Sequence, residues 1–501
     1  MAENKTERSD TLLEDLFRAY FDARRHKRNT RNQLRFEMDL EANLIELYDQ
    51  IRKREYRVGP SVCFIVEHPV KREIFAADFR DRVVHHLLFN YIAPLFERTF
   101  ITDSYSCLKN KGTLYGVERL EHHIRSCSDN YRQTCYVLKL DIQGYFMNIN
   151  RRIMYETIER VMLKMGPRKS HRGRPWNELL DYDLVLYLLR EVVFNDPTEN
   201  CIVRGSRSKW ADLPRSKSLF TSPADCGLPI GNLTSQLFSN IYLNDFDHFV
   251  KRKLKHKHYG RYVDDFYIIH RDKELLKRHI REIDAYLQEN LGLTLHPKKI
   301  YLQEISKGVT FLGAVVKPYR RYMVNRTRNH FSELLAAMNA YIRMHPRPSK
   351  TFLIYMQAAM NSYLGYMTHY KCYKMKLKLV PRMGEVLKLG SLTHNMTRYR
   401  LNRDIRERLG LDGRADALPW EMECLPLPRE QADEDFVPDD DGDWASRRQM
   451  ADETDALLFG EEQGAERTRP EEKVPQGCDA GRTSGAGNGE PPATGEGQCG
   501  V

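Results

Sequence analysis

The stretch His258-Tyr259-Gly260-Arg261-Tyr262-Val263-Asp264-Asp265-Phe266-Tyr267-Ile268-Ile269-His270 sets two adjacent aspartates between two short runs of β-branched and aromatic residues. Such runs favour strands, so the acidic pair falls in a tight turn between them. Adjacent carboxylates repel and cost stability unless a cation neutralises them. A solvated Asp-Asp turn is the plain alternative. The pair gains meaning if a third carboxylate ends another strand and a ligand-binding loop lies between them.

Both parts are present upstream. Thr134-Cys135-Tyr136-Val137-Leu138-Lys139-Leu140-Asp141-Ile142 is strand-like, and a period of two places Val137, Lys139 and Asp141 on one face. Gln143-Gly144-Tyr145-Phe146 follows it. The loop is Gly227-Leu228-Pro229-Ile230-Gly231-Asn232-Leu233-Thr234-Ser235-Gln236, which feeds a helix with Leu237, Phe238, Ile241 and Tyr242 on its apolar side. Glycine at a helix start lets backbone approach a ligand closely.

Before these elements, amphipathic helices are expected over 11–28 and about 36–53. A strand pair follows over 62–76, then a helix opened by Asp78-Phe79-Arg80-Asp81-Arg82. Lys71, Arg72, Arg80 and Arg82 gather four cations beside that hairpin, where they can clamp a triphosphate. His85 and His86 suggest a metal pair, but neighbours on a helix point in different directions, which favours a polar or buried helical role. Segments 166–175 and 196–225 are polar and basic, and the second is long for a loop in a compact domain. After the Asp-Asp hairpin come a helix over 272–291, Lys298 and Lys299, the run Gly308-Val309-Thr310-Phe311-Leu312-Gly313, and helices over 327–345 and 351–370.

The chain has 501 residues and a net charge of +10. From Glu430 onward there are 19 acidic and 6 basic residues, which leaves a net +23 on residues 1–429. So basic a body suggests a polyanionic partner, most simply nucleic acid. The tail from about 425 is rich in Asp, Glu, Gly and Pro and is expected to be disordered. The ten cysteines show no zinc-type spacing, which suits a reducing cytoplasm. No signal region or membrane-length apolar run is evident.

The ordered set of basic residues, strand-end Asp, Gly-Leu-Pro-x-Gly loop, Tyr-x-Asp-Asp, Lys and Phe-Leu-Gly resembles a reverse transcriptase over roughly residues 30–390. Ile230-Gly231-Asn232-Leu233-Thr234-Ser235-Gln236 stands where most such enzymes carry Gln before the glycine. It is similar to the loop of reverse transcriptases from diversity-generating retroelements, within the group II intron-like superfamily. Phe75–Arg82 and Asn361–Tyr366 also resemble that family.

The resemblance implies an α+β right-hand polymerase fold with fingers, a palm bearing an antiparallel sheet, and a helical thumb. The corresponding regions are an N-terminal helical region (1–60), fingers and palm (61–330), thumb (331–400), and a linker with acidic tail (401–501). It implies two Mg²⁺ ions, with Mn²⁺ able to stand in, held by Asp141, Asp264, Asp265 and the backbone carbonyl of Ile142. Lys71, Arg72, Arg80 and Arg82 would hold the triphosphate. Phe146, with Tyr145 as competitor, would exclude a ribose 2′-hydroxyl. Lys299, with Lys298 beside it, would protonate pyrophosphate. Ile230, Gly231, Ser235 and Gln236 form the fidelity loop, and Ile230 removes a polar check on the nascent pair.

The expected reaction is copying of a template-repeat RNA into adenine-mutagenised cDNA from a DNA or RNA primer and dNTPs, diversifying a target gene. A small basic pentameric accessory protein and a structured retroelement RNA are the implied partners. A group II intron-type or phage-defence reverse transcriptase is the alternative, and a catalytically silent RNA-binding scaffold is one of a different class.

Overall fold

The computed structural model describes residues 3–25, 30–67, 70–170, 173–393 and 395–411, with side chains described from residue 11 onward. The acidic tail and the basic residues Lys27 and Arg28 lie outside the described residues.

In chain order the strands are β1 (Val62–Val66), β2 (Arg72–Ala76), β3 (Tyr136–Leu140), β4 (Ile202–Val203), β5 (His258–Tyr262), β6 (Asp265–His270), β7 (Tyr301–Glu304), β8 (Val309–Phe311), β9 (Ala314–Lys317), β10 (Arg320–Met323), β11 (Gly390–Leu392) and β12 (Tyr399–Leu401). The organising sheet is antiparallel, in the order β5-β6-β3-β7. Its alternation feeds two cores. Leu138, Leu140, Phe266 and Ile268 pack into a core shared with the N-terminal helices and helix Leu233–Tyr242. Val137, Tyr267 and Ile269 pack on the opposite side with the C-terminal helices, through Phe331, Leu335 and Met356. A strand buried on both faces needs apolar residues at consecutive positions, and Phe266-Tyr267-Ile268-Ile269 supplies them.

Local chemistry sets the helix boundaries. Asp78 caps Phe79–Phe96 by accepting from the Arg80 amide at 3.1 Å. Asn150 caps Arg151–Met165 in the same way, accepting from Ile153 at 3.0 Å. Asp272 accepts from Glu274 and Leu275 at the start of Lys273–Leu291, and Gly292 ends that helix in the left-handed region. The expected helix over 36–53 is two helices, Arg31–Met38 and Leu40–Arg52, which part at Asp39.

The fold is therefore α+β. The 196–225 segment, read from sequence as loop, is sewn to the rest of the chain. Its strand β4 pairs in parallel with β1, and three short 3₁₀ turns follow, at Arg207–Trp210, Arg215–Lys217 and Leu219–Thr221. Among the described residues no helix is long and apolar enough to cross a membrane.

Candidate active site

β5 and β6 pair up to Tyr262 opposite Asp265, leaving Val263 and Asp264 as a two-residue turn. Val263 has φ +54°, a conformation that a β-branched residue adopts only under strain. What holds it there is Arg261, which is fully buried. Its guanidinium forms a two-point pair with the equally buried Asp247 (2.8 and 2.7 Å), and its third nitrogen donates to the Val263 carbonyl at 3.0 Å. The Val263 amide donates to Ser106 Oγ at 3.2 Å.

Asp141 lies one step beyond the β3–β6 register. Leu140 pairs with Phe266, so Asp141 falls opposite Asp265, on the face that also carries Lys139. Lys299 binds both Asp141 oxygens, at 3.3 and 3.4 Å, and Lys139 pairs with Asp265 at 3.5 Å. Asp264 has no ion pair among the described residues. Burial, and next the charge of Asp141, push its carboxyl up to about 7. Burial also raises Asp141, against the pull of Lys299, and raises Asp265, against the pull of Lys139. Lys298 is exposed, and its amide donates to His296 Nδ1 at 3.2 Å.

Among the described residues, no three His, Cys, Asp or Glu side chains are gathered closely enough to hold a metal ion as they stand. The donor set nevertheless fits a hard divalent cation. Three carboxylates share one end of a sheet, their mutual charge is unfavourable, and lysines meet only part of it. The Ile142 carbonyl is compatible with that set. The bonds across to 294–296 are made by its neighbours, Gln143 N–H to Thr294 O and His296 N–H to Asp141 O. The Ile142 amide and carbonyl therefore point away from that partner strand.

The two aromatic candidates separate cleanly. Tyr145 is buried and its hydroxyl donates to the Ser239 carbonyl at 2.6 Å. Phe146 is only partly buried, and it packs on the small cluster of Cys63, Phe75, Met147 and Leu219. Ile230 packs on that same cluster, and its carbonyl accepts from the Phe75 amide at 2.9 Å. Gly231 takes φ +130° where a Cβ would sit 2.8 Å from the Phe75 carbonyl, so the loop docks on β2 only with glycine there. Ser235 and the loop's Asn232 are buried, and the Asn232 side chain accepts from the Ala77 amide at 3.3 Å. Gln236 is partly buried in the following helix, where its carbonyl accepts from Ser239.

The expected cation clamp divides. Arg72 begins β2 and its charge acts on Lys217, as do those of Lys299, Asp141 and Asp264. Lys71 pairs with Asp212 at 3.8 Å. Arg80, expected on a phosphate, has several partners within the chain. It binds Asp81 at 2.8 Å, the Arg57 carbonyl at 3.2 Å and the Gln50 side chain, and lies over the Tyr56 ring. Arg82 donates to the Ala77 carbonyl at 2.8 Å. His85 is buried against Thr234 Oγ1 at 2.8 Å, and burial pushes it down to about 3, so it is a neutral structural histidine.

Sequence reasoning missed Arg261 with Asp247, and Glu73. Glu73 is a buried carboxylate on β2 that accepts from Trp210 Nε1 (2.7 Å), Ser218 Oγ (2.9 Å) and the Leu219 amide (2.6 Å). A glutamate inside an otherwise apolar strand, Glu73-Ile74-Phe75, was the available signal.

Residues 71–316 match the family model described as reverse transcriptase (RNA-dependent DNA polymerase). The chain carries a reverse transcriptase domain. The domain spans the carboxylates, the Gly-Leu-Pro-x-Gly loop and Lys299. Among curated proteins, the chain is 21% identical over 276 residues to Protein YkfC of Escherichia coli (strain K12), covering 48% of this chain and 62% of that protein. It thus spans about three-fifths of that relative's length. Among solved structures it is similar to apo telomerase from Candida tropicalis truncated from its C-terminal domain (12% identity, TM-score 0.38, 55% of this chain and 59% of that one). It is also similar to telomerase from Candida albicans in complex with a fragment of telomeric RNA (11%, 0.40, 71% and 60%).

Proposed function

We propose that the chain is an RNA-directed DNA polymerase that transfers nucleotides at Asp141, Asp264 and Asp265. The observation that carries this is that three carboxylates share one end of the sheet inside the matched domain, with Lys299 on Asp141. Mg²⁺ held by these carboxylates and the Ile142 carbonyl would acidify the primer 3′-hydroxyl and stabilise the leaving pyrophosphate. Arg72 and Lys71 bind the triphosphate from β2. Lys299, released from Asp141, holds the proton that the leaving pyrophosphate takes. Phe146, the accessible one of the two rings, excludes a 2′-hydroxyl.

In the narrower reading the chain copies a template repeat for a diversity-generating retroelement, together with a basic accessory protein and a structured RNA. Ile230 supports this reading, because it offers only apolar surface beside Phe146 where an amide could test the nascent pair.

Primer extension on an RNA template in Mg²⁺ tests the broader reading. Wild type should extend, and Asp264→Ala should lose at least about 10³-fold, the scale of removing a main electrostatic stabiliser. Extension that survives this change overturns the assignment. For the narrower reading, Ile230→Gln should lower misincorporation opposite template adenines; an unchanged error spectrum counts against the role of Ile230.

A further inference from the structure

The inserted segment 196–225 brings one more cation to the site. Three separate attachments hold it to the strand pair β1–β2. The Ile202 and Arg204 amides donate to the Ser61 and Cys63 carbonyls, both at 2.8 Å. Glu73 gathers Trp210, Ser218 and Leu219. Lys71 pairs with Asp212. So anchored, the turn Arg215–Lys217 is pressed against the helix start that follows Asp141. A Cβ on Gly144 would stand 3.1 Å from the Ser216 carbonyl and 3.7 Å from its side chain.

Lys217 is the last residue of that turn. The residue is exposed, and the charges acting on its ammonium are those of Lys299, Arg72, Asp141 and Asp264. It is therefore within electrostatic reach of both the carboxylates and the cation on β2. Three cations collected beside the carboxylates repel one another. A polyanion spanning from the carboxylate end to β2 removes that repulsion. A nucleoside triphosphate entering by its phosphates has that charge and that span.

We propose that Lys217 binds the phosphates of the incoming nucleoside triphosphate, so that the insertion completes a clamp whose other members are Arg72 and Lys71. This rests on the polymerase reading of the site. It also gives the buried Glu73 a function, as the residue that positions the turn carrying Lys217. Arg80, which the sequence suggested for the clamp, is replaced by a residue from a segment over 130 positions downstream.

The test compares wild type with Lys217→Ala, Lys217→Arg and Lys217→Met in single-nucleotide extension of an rA/dT template-primer with dTTP. Lys217→Ala should raise KM for dTTP by about 10-fold or more, the loss expected for a hydrogen bond to a charged group, with a smaller change in kcat. Lys217→Arg should recover most of it. Inorganic pyrophosphate should inhibit Lys217→Ala more weakly, and should raise the Tm of wild type more than that of the variant. Lys217→Met keeps the aliphatic stem and carries the test if Lys217→Ala lowers Tm on its own. Unchanged KM together with an unchanged pyrophosphate shift overturns the inference, as does a gain in activity, which would make the turn an occluding strap. If wild type extends no primer the polymerase reading fails, while the pyrophosphate shift still decides the role of Lys217.

Discussion

Asp103 and Asp264 sit beside the same strand, β5, and burial acts on both in the same sense, yet they end in opposite states. The Asp103 segment pairs with β5 through the Arg261 amide (2.9 Å). Burial would raise its carboxyl, but hydrogen bonds from His123 and Arg119, with Lys251 at 3.0 Å, outweigh that and hold it well below the usual carboxylate range. Among the described residues Asp264 has no such partners, and it is pushed up to about 7. Asp247, like Asp103, is paired with a cation of the chain, at two points with Arg261. A carboxylate that maintains the fold is surrounded by cations of the chain. One left short of them, on a strained turn, is kept for a cation from outside.

The largest way to break this comparison is to treat Asp247 as dispensable. Asp247→Asn leaves the Arg261 charge buried without its counter-ion and should cost about 3–5 kcal/mol in urea unfolding. A loss below about 1 kcal/mol would show that the pair does not secure the turn.

Asp264→Asn should act in the opposite direction. The carboxyl's folded value near 7 lies above its ordinary 3.8, so between these the folded chain keeps a proton that the unfolded chain has lost. Stability then falls as pH rises through that window. Without divalent cations, Asp264→Asn should stabilise the chain at pH 8 by about 2 kcal/mol, allowing for partial exposure, and by almost nothing below pH 4. Thermal unfolding across pH measures this, and a pH-independent difference would contradict it.

The smallest effect sharpens the picture of the turn. Val263→Gly relieves a left-handed φ and should stabilise by about 0.5–1 kcal/mol while loosening the aspartates. A destabilisation would mean that the valine side chain contributes more packing than its backbone loses in strain.

Much of the scaffold was legible because local rules wrote it. Alternation marked β3, a run of β-branched and aromatic residues marked β6, and apolar stripes marked the helices. The flanking runs put the acidic pair in a tight turn, and the structure shifts that turn back by one residue, to Val263-Asp264, so that Asp265 already begins β6. That Asp141 and Asp265 lie near each other was legible for the same reason, since one follows and the other begins strands that pair. What could not be read were the long-range polar partners. Glu73 meets Trp210 across 137 positions, and no periodicity connects them. Arg80 looked like a phosphate ligand because its sequence neighbours are basic, but its actual partners are Gln50 and Tyr56, on the N-terminal side. The choices between Tyr145 and Phe146, and between Lys298 and Lys299, depended on side-chain direction, which packing decides.

The most direct measurement is a calorimetric titration of Mn²⁺ into the full chain at pH 7.5, for wild type and Asp264→Asn side by side with Asp103→Asn. Binding is expected in wild type, retained in Asp103→Asn, and lost or weakened by at least about 10-fold in Asp264→Asn. Equal isotherms for wild type and Asp264→Asn would contradict the claim that this carboxylate is kept for a cation.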